Sequence, residues 1–214
     1  MATTVGIVLF PDAEELDWAG PYEVFGMAAA LLGERELQND PISDEERRAA
    51  DLVLTTIAQT KEPVRCRKGL RVLPEHDFTD APPLDVILVP GGQGTRVEVD
   101  NPVLIDWLRK AGERCQWITS VCTGALLLHE AGFARGKRVT THWAFVEQLR
   151  ARGDVEVLER RRYVRDGNLV TSAGVSAGTD MALWLVGQIL TPDFARNVQR
   201  AMEYDPAPPY SAEV

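Results

Sequence analysis

The sequence predicts an α/β fold whose mostly parallel central sheet is covered by helices on both faces. Three observations carry this. Short runs of apolar and β-branched residues recur along the chain, segments of helical composition alternate with them, and the connections between the two are short. Such alternation builds strand-helix-strand units with right-handed crossovers.

Thr4 to Phe10 is an apolar run ended by Pro11-Asp12, which reads as a strand buried on both faces and therefore central. A loop holding Leu16-Asp17-Trp18 follows. Gly20-Pro21 then supplies a cap and a first-turn proline for a helix from Tyr22 to Leu32. Gly33 to Ala50 is polar and charged, and predicts an excursion with a short helical piece of its own. Asp51 to Ala58 reads as the second strand, followed by an extended pair turning around Arg67-Lys68-Gly69. Asp85 to Val89 is another buried-type strand, and Pro90-Gly91-Gly92 after it is a turn whose glycines expose backbone N–H groups. A helix from Asn101 to Ala111 precedes the strand Gln116 to Ser120, which passes through Val121-Cys122-Thr123 into the helical segment Gly124 to His129. Beyond Thr140-Thr141-His142-Trp143 lies a helix to about Arg152. A two-strand element then turns at Asp166-Gly167-Asn168 into Leu169 to Ser172. Helices from Gly178 to Leu190 and Pro192 to Met202 close the chain, with a proline-rich extended cap from Asp205 to Tyr210.

The chain has 214 residues, 45% hydrophobic and 26% charged, ordinary globular usage that predicts one domain over 1–214. Its formal net charge of −9 repels phosphate backbones and anionic lipid, so neither nucleic acid nor a membrane surface is expected as a partner. No apolar run reaches membrane-spanning length, and Met1-Ala2-Thr3-Thr4 offers no basic region ahead of a cleavable apolar one. Cys66, Cys115 and Cys122 form no close pair, and an odd count argues against a disulfide framework, so a reducing cytoplasm is the expected compartment. Glu14 and Glu15 precede Asp17, but nothing elsewhere completes a ligand set. No metal and no cofactor is assigned.

Ligands of open α/β sheets bind beyond the carboxyl ends of the strands. Asp17, the Gly91-Gly92 turn and Cys122 each follow such an end, so parallel strand direction unites groups that chain spacing separates. A cysteine on a tight strand-to-helix turn resembles a nucleophile elbow. The helix N-terminus predicts a lowered thiol pKa, and the backbone N–H groups of Thr123 and Gly92 are placed to hold developing negative charge. Asp17, between Leu16 and Trp18, sits in an apolar setting that raises a carboxyl pKa and suits proton transfer. The pattern alone leaves two plainer readings open: Cys122 as a small buried apolar residue, and Asp17 as a cap for the Tyr22 helix. His142 reads as a pocket group or as a satisfied core histidine. The glycine turn lacks the lysine and hydroxyl residue of a P-loop.

The strings Gly6 to Pro11, Leu16 to Pro21, Asp85 to Gly92, Thr119 to Gly124, Thr140 to Trp143, Val164 to Thr171, Ala173 to Gly178 and Glu203 to Pro209 together resemble the ThiJ/PfpI superfamily, and within it the isocyanide hydratase branch. The resemblance implies a flavodoxin-like three-layer sandwich and a homodimer with the active site near the subunit interface. It also implies a cysteine nucleophile at Cys122, a carboxyl partner at Asp17 and Thr123 beside the nucleophile. In members described as proteases a histidine follows the cysteine; Thr123 stands there instead. The implied reaction on a small-molecule substrate is hydration of an isocyanide to an N-substituted formamide. A cofactor-free glyoxalase or deglycase is the alternative enzyme. A ligand-sensing or redox-sensing domain like the amino-terminal half of AraC-type regulators is the non-enzymatic one, although the acidic balance disfavours DNA binding and no helix-turn-helix segment is expected before Val214.

Overall fold

The computed structural model describes residues 2–37 and 52–206. Among them are the strands β1 (Thr3–Val8), β2 (Leu52–Ala58), β3 (Val64–Arg65), β4 (Arg71–Val72), β5 (His76–Asp77), β6 (Val86–Val89), β7 (Trp117–Val121), β8 (Arg138–Val139), β9 (Glu156–Val157), β10 (Tyr163–Asp166) and β11 (Leu169–Ser172). Seven of them form the central sheet in the order β10-β11-β7-β6-β1-β2-β5. Every neighbouring pair is parallel except β10 with β11, the hairpin that turns at Gly167. β1 is central as its sequence demands: Val5, Ile7 and Val8 are fully buried, and β2 and β6 flank it. The chain moves from β1 outward to β2 and later returns to β6 on the other side. The carboxyl ends of β1 and β6 therefore face a crevice where successive connections diverge.

The helices are α1 (Glu15–Leu37), α2 (Thr95–Glu98), α3 (Pro102–Gly112), α4 (Gly124–Glu130), a 3₁₀ turn at Trp143–Phe145, α5 (Val146–Arg150), α6 (Ala177–Ile189) and α7 (Pro192–Ala201). α1, α6 and α7 pack on one another as one layer, and α2 and α3 pack against α4 beside β6 and β7 as another. This is a flavodoxin-like sandwich, and one apolar core runs through it from Val5 to Val198. The starts of α3 and α7 follow from local chemistry. Asn101 Oδ1 accepts from Val103 N at 3.1 Å ahead of Pro102, and Thr191 Oγ1 accepts from Phe194 N at 3.1 Å beside Pro192. None of the described helices is long and apolar enough to cross a membrane.

The largest departure from expectation is α1, which begins at Glu15 rather than Tyr22. Asp17 therefore lies in its first turn, where acidic residues suit the helix dipole, and not in a loop. Pro21 sits inside the helix, and its missing N–H removes the bond that the Asp17 carbonyl would otherwise accept. Gly20 marks a helix crossing: a Cβ there would stand 2.7 Å from Thr179 Oγ1 of α6. α1 also runs on to Leu37, so Gly33 to Leu37 is helix, while the rest of the expected polar excursion lies outside the described residues, as does the proline-rich cap beyond Pro206. The short elements α2, β5, β8 and β9 carry too few residues to show a period in the sequence.

Gly124, the first residue of α4, packs against the end of β6: a Cβ there would lie 2.2 Å from Val89 O and 2.7 Å from Pro90 O. Backbone cannot yield as a side chain does, so Gly124→Ala should cost about 1–3 kcal/mol in urea unfolding. Gly26 in α1 has nothing within 4 Å of an added Cβ. Gly26→Ala should instead stabilise by about 0.5–1 kcal/mol, and equal effects of the two would contradict this packing.

Candidate active site

Cys122 occupies the turn between β7 and α4 with φ +56°, a left-handed conformation that costs a non-glycine residue about 1 kcal/mol or more. The surroundings hold it there. Cys122 N–H lies 3.2 Å from both Ser172 O and Ala173 O, its carbonyl accepts from Thr141 Oγ1 at 2.7 Å, and Gly124 is pressed on the end of β6. The result is a nearly buried thiol, 6% exposed, that faces a cavity of about 160 Å³.

Asp17 is fully buried. Its Oδ2 accepts from Gly91 N at 2.8 Å and its Oδ1 from Val175 N at 3.1 Å, and the carboxyl also reaches the Cys122 thiol. Burial pushes its pKa up to about 7, helped by the charge of Glu14 and opposed by the Gly91 hydrogen bond. The capping alternative for Asp17 falls, because both oxygens are committed to backbone far away in sequence. The expectation of a lowered thiol pKa is also corrected. Burial pushes Cys122 up to about 12, the negative charge of Asp17 adds to this, and the Thr123 backbone N–H only partly opposes it. The two groups behave as one pair that holds a single proton between about 7 and about 12.

The glycine turn supports this pair more than it faces the cavity. Gly91 N–H is spent on Asp17, and Gly92 N–H donates to Thr123 Oγ1 at 3.1 Å, so the expected charge-holding role of the Gly92 amide is not available to a ligand. Thr95 Oγ1, absent from the sequence reading, stands 2.9 Å from Gly92 O and 3.0 Å from Thr123 Oγ1 and closes the network. Among the expected donors, the Thr123 N–H remains directed at the sulfur.

Cys122, Thr123, Gly92, His142, Arg67 and Arg96 line the cavity together. His142 Nδ1 accepts from Ala144 N at 3.2 Å and caps the 3₁₀ turn. Burial and the nearby Arg96 charge keep its pKa below the ordinary histidine value, so a neutral ring carries its proton on Nε2. Arg96 was missed by the sequence reading. Its Nη1 lies 2.5 Å from Gly92 O, and the guanidinium rests 4.0 Å from the Phe145 ring centre. The only signal for it in the sequence is a cation two residues after the last glycine of the turn, Gly94. Glu14 and Glu15 face the turn around Lys68: Glu14 pairs with Lys68, and Glu15 Oε1 accepts from Lys68 N at 2.6 Å. Cys66 and Cys115 pack in the core, and burial raises both thiols, Cys115 to about 12.

Comparison with known proteins gives four relevant results. The model of the DJ-1/PfpI family matches residues 3–188. An isonitrile hydratase of Pseudomonas putida is 38% identical over 212 residues, 99% of this chain and 83% of that protein. The Parkinson disease protein 7 homolog of Danio rerio is 30% identical over 78% of this chain and 90% of its own length. Among solved structures, a ThiJ/PfpI family protein from Pseudomonas syringae superposes with a TM-score of 0.84 at 29% identity, covering 100% of this chain and 80% of that one.

A brief treatment with iodoacetamide should label Cys122 ahead of Cys66 and Cys115, because it alone of the three lines the described cavity. The labelling rate should rise with pH through about 7, where the pair gives up its first proton. Peptide mapping that finds Cys115 or Cys66 labelled first would contradict the site.

Proposed function

Since the chain belongs to the DJ-1/PfpI family, we propose that it is a cysteine-dependent hydratase that adds water to an isocyanide, R–N≡C, and releases an N-substituted formamide. One observation carries this reading: a buried carboxyl, held by two backbone N–H groups, reaches the thiol of a strained cysteine that faces a cavity. The terminal carbon of an isocyanide must take both a nucleophile and a proton, and this pair offers both from one protonation state. The full-length likeness to an isonitrile hydratase supports the same chemistry.

The reacting form is the minor tautomer of the singly protonated pair, reached when the Cys122 proton passes to the Asp17 carboxylate that it contacts, which leaves the sulfur a thiolate. Cys122 Sγ attacks the terminal carbon while Asp17 delivers its proton to that carbon, giving a thioimidate, R–N=CH–S–Cys122. The carboxylate then accepts a proton from water as the water oxygen adds to the same carbon. Collapse of this adduct expels the sulfur, moves a proton to nitrogen and yields R–NH–CHO. Thr123 keeps its N–H on the sulfur, and its hydroxyl, tied to Gly92 and Thr95, fixes that N–H in place. Gly91 acts through Asp17, and neutral His142 walls the cavity. The working unit in this reading is a homodimer, which would also cover Trp143, 82% exposed beside the cavity.

Cys122→Ala should abolish hydration of para-nitrophenyl isocyanide, and Asp17→Asn should lower kcat by about 10²–10⁴-fold. Asparagine is no silent substitute here, because its single carbonyl oxygen can serve only one of the Gly91 and Val175 N–H groups and its Nδ2 would face the other. Below about 7 both members of the pair are protonated and the sulfur is a poor nucleophile. The wild-type rate should therefore rise with pH through about 7, and this limb should vanish in Asp17→Asn. Methylglyoxal is the comparison substrate: its turnover without isocyanide hydration would overturn the hydratase reading in favour of a glyoxalase.

A further inference from the structure

Three charged side chains line the cavity: Glu14, Arg67 and Arg96. Glu14 is already paired with Lys68, whereas neither arginine forms an ion pair with a carboxylate among the described residues. Arg96 is held in a fixed pose, with one nitrogen on Gly92 O and its plane over Phe145, so its remaining guanidinium edge is set in advance. Partial burial depresses the proton affinity of Arg96, the Cys122 charge opposes this, and the nearby charge of Arg67 adds to it. Two uncompensated guanidiniums thus stand at the mouth of a small cavity in a chain whose net charge is −9.

Both side chains are exposed at the edge of the cavity, where a neutral isocyanide gives them nothing to pair with and a carboxylate would meet two charge-assisted donors. From the placement of Arg67 and Arg96 around the Cys122 cavity, we infer that the substrate is a small isocyanide bearing a carboxylate, which the two guanidiniums hold while the isocyanide carbon meets Cys122. The inference rests on the hydratase reading and narrows it to a substrate class. It makes Arg96 the main determinant of specificity, because it is the preorganised member of the pair. The alternative duty for Arg96 is to steady the Cys122 thiolate, which would aid every substrate alike.

Isocyanoacetate and its methyl ester separate these possibilities, since they share the reacting group and differ in charge. In the wild-type protein kcat/KM for the acid should exceed that for the ester by at least about tenfold, mostly through KM. Arg96→Gln should collapse that ratio toward one, and Arg67→Gln should reduce it. The product analogue N-formylglycinate should also protect Cys122 from iodoacetamide better than its methyl ester does, a readout that needs no turnover. A wild-type preference for the ester, or an equal loss on both substrates in Arg96→Gln, would overturn the inference and leave the hydratase reading standing. Failure to hydrate either compound while para-nitrophenyl isocyanide is still hydrated would overturn the inference alone, and failure on all three would overturn both.

Discussion

A carboxyl group and a thiol, both shut away from water, cannot each be ionised in one low-dielectric site, and the resulting competition for a proton shapes the molecule around Asp17 and Cys122. Asp17 is tied to the β6 turn through Gly91 and to the segment before α6 through Val175. Those two hydrogen bonds bring together the start of α1, the end of β6 and the loop after β11, elements that are far apart in the chain. They also fix the carboxyl where it reaches sulfur. The arrangement costs stability. The native Asp17 pKa of about 7 lies above the ordinary aspartate value of 3.8, so the folded chain binds a proton that the unfolded chain has released between these values. This contribution to stability is therefore fully present at low pH and is lost as pH rises through about 7.

Backbone strain gathers in the same place. Asp12, Cys122 and Val175 are non-glycine residues with φ of +57°, +56° and +52°, and Gly92 between them has φ of +121°. Each is fastened: Asp12 N–H to Arg65 O, Gly92 N–H to Thr123, Cys122 N–H to Ser172 and Ala173, Val175 N–H to Asp17. Residues in such conformations persist where the surrounding structure over-determines them, and here the surroundings are the carboxyl ends of the parallel strands. The rigid sheet thus holds a reactive sulfur, its proton partner and a cationic rim in one crevice, while α1, α6 and α7 on one side and α2 to α4 on the other supply the apolar bulk.

Much of this was legible in the residues. Val5 to Val8, Val86 to Val89 and Trp117 to Val121 are dominated by apolar and β-branched residues because both faces are covered, and strand direction alone placed Asp17, Gly91 and Cys122 at one edge. The start of α1 was misread because Gly20-Pro21 has the chemistry of a helix beginning, whereas here the glycine admits α6 and the proline interrupts one bond. The lowered thiol pKa failed because a helix N-terminus speaks only for local dipoles; burial and the Asp17 charge, both tertiary, outweigh it. The Gly92 amide was read as free because its acceptor, Thr123 Oγ1, is 31 residues away. Val175 left no local trace of its role, since it acts through a hydrogen bond spanning 158 residues, and Arg96 offered only its place after the glycine turn, since the Phe145 ring beneath it is brought near by the fold.

The shared proton is most directly tested by following the Asp17 carboxyl carbon by nuclear magnetic resonance in protein labelled at aspartate, with Asp17→Asn to assign the signal. The account predicts a midpoint near 7. It also predicts that the midpoint moves in Cys122→Ala, because removal of the thiol takes away a hydrogen bond that lowers the Asp17 pKa, so the shift is upward. A midpoint at the ordinary aspartate value, unmoved by loss of the thiol, would contradict it.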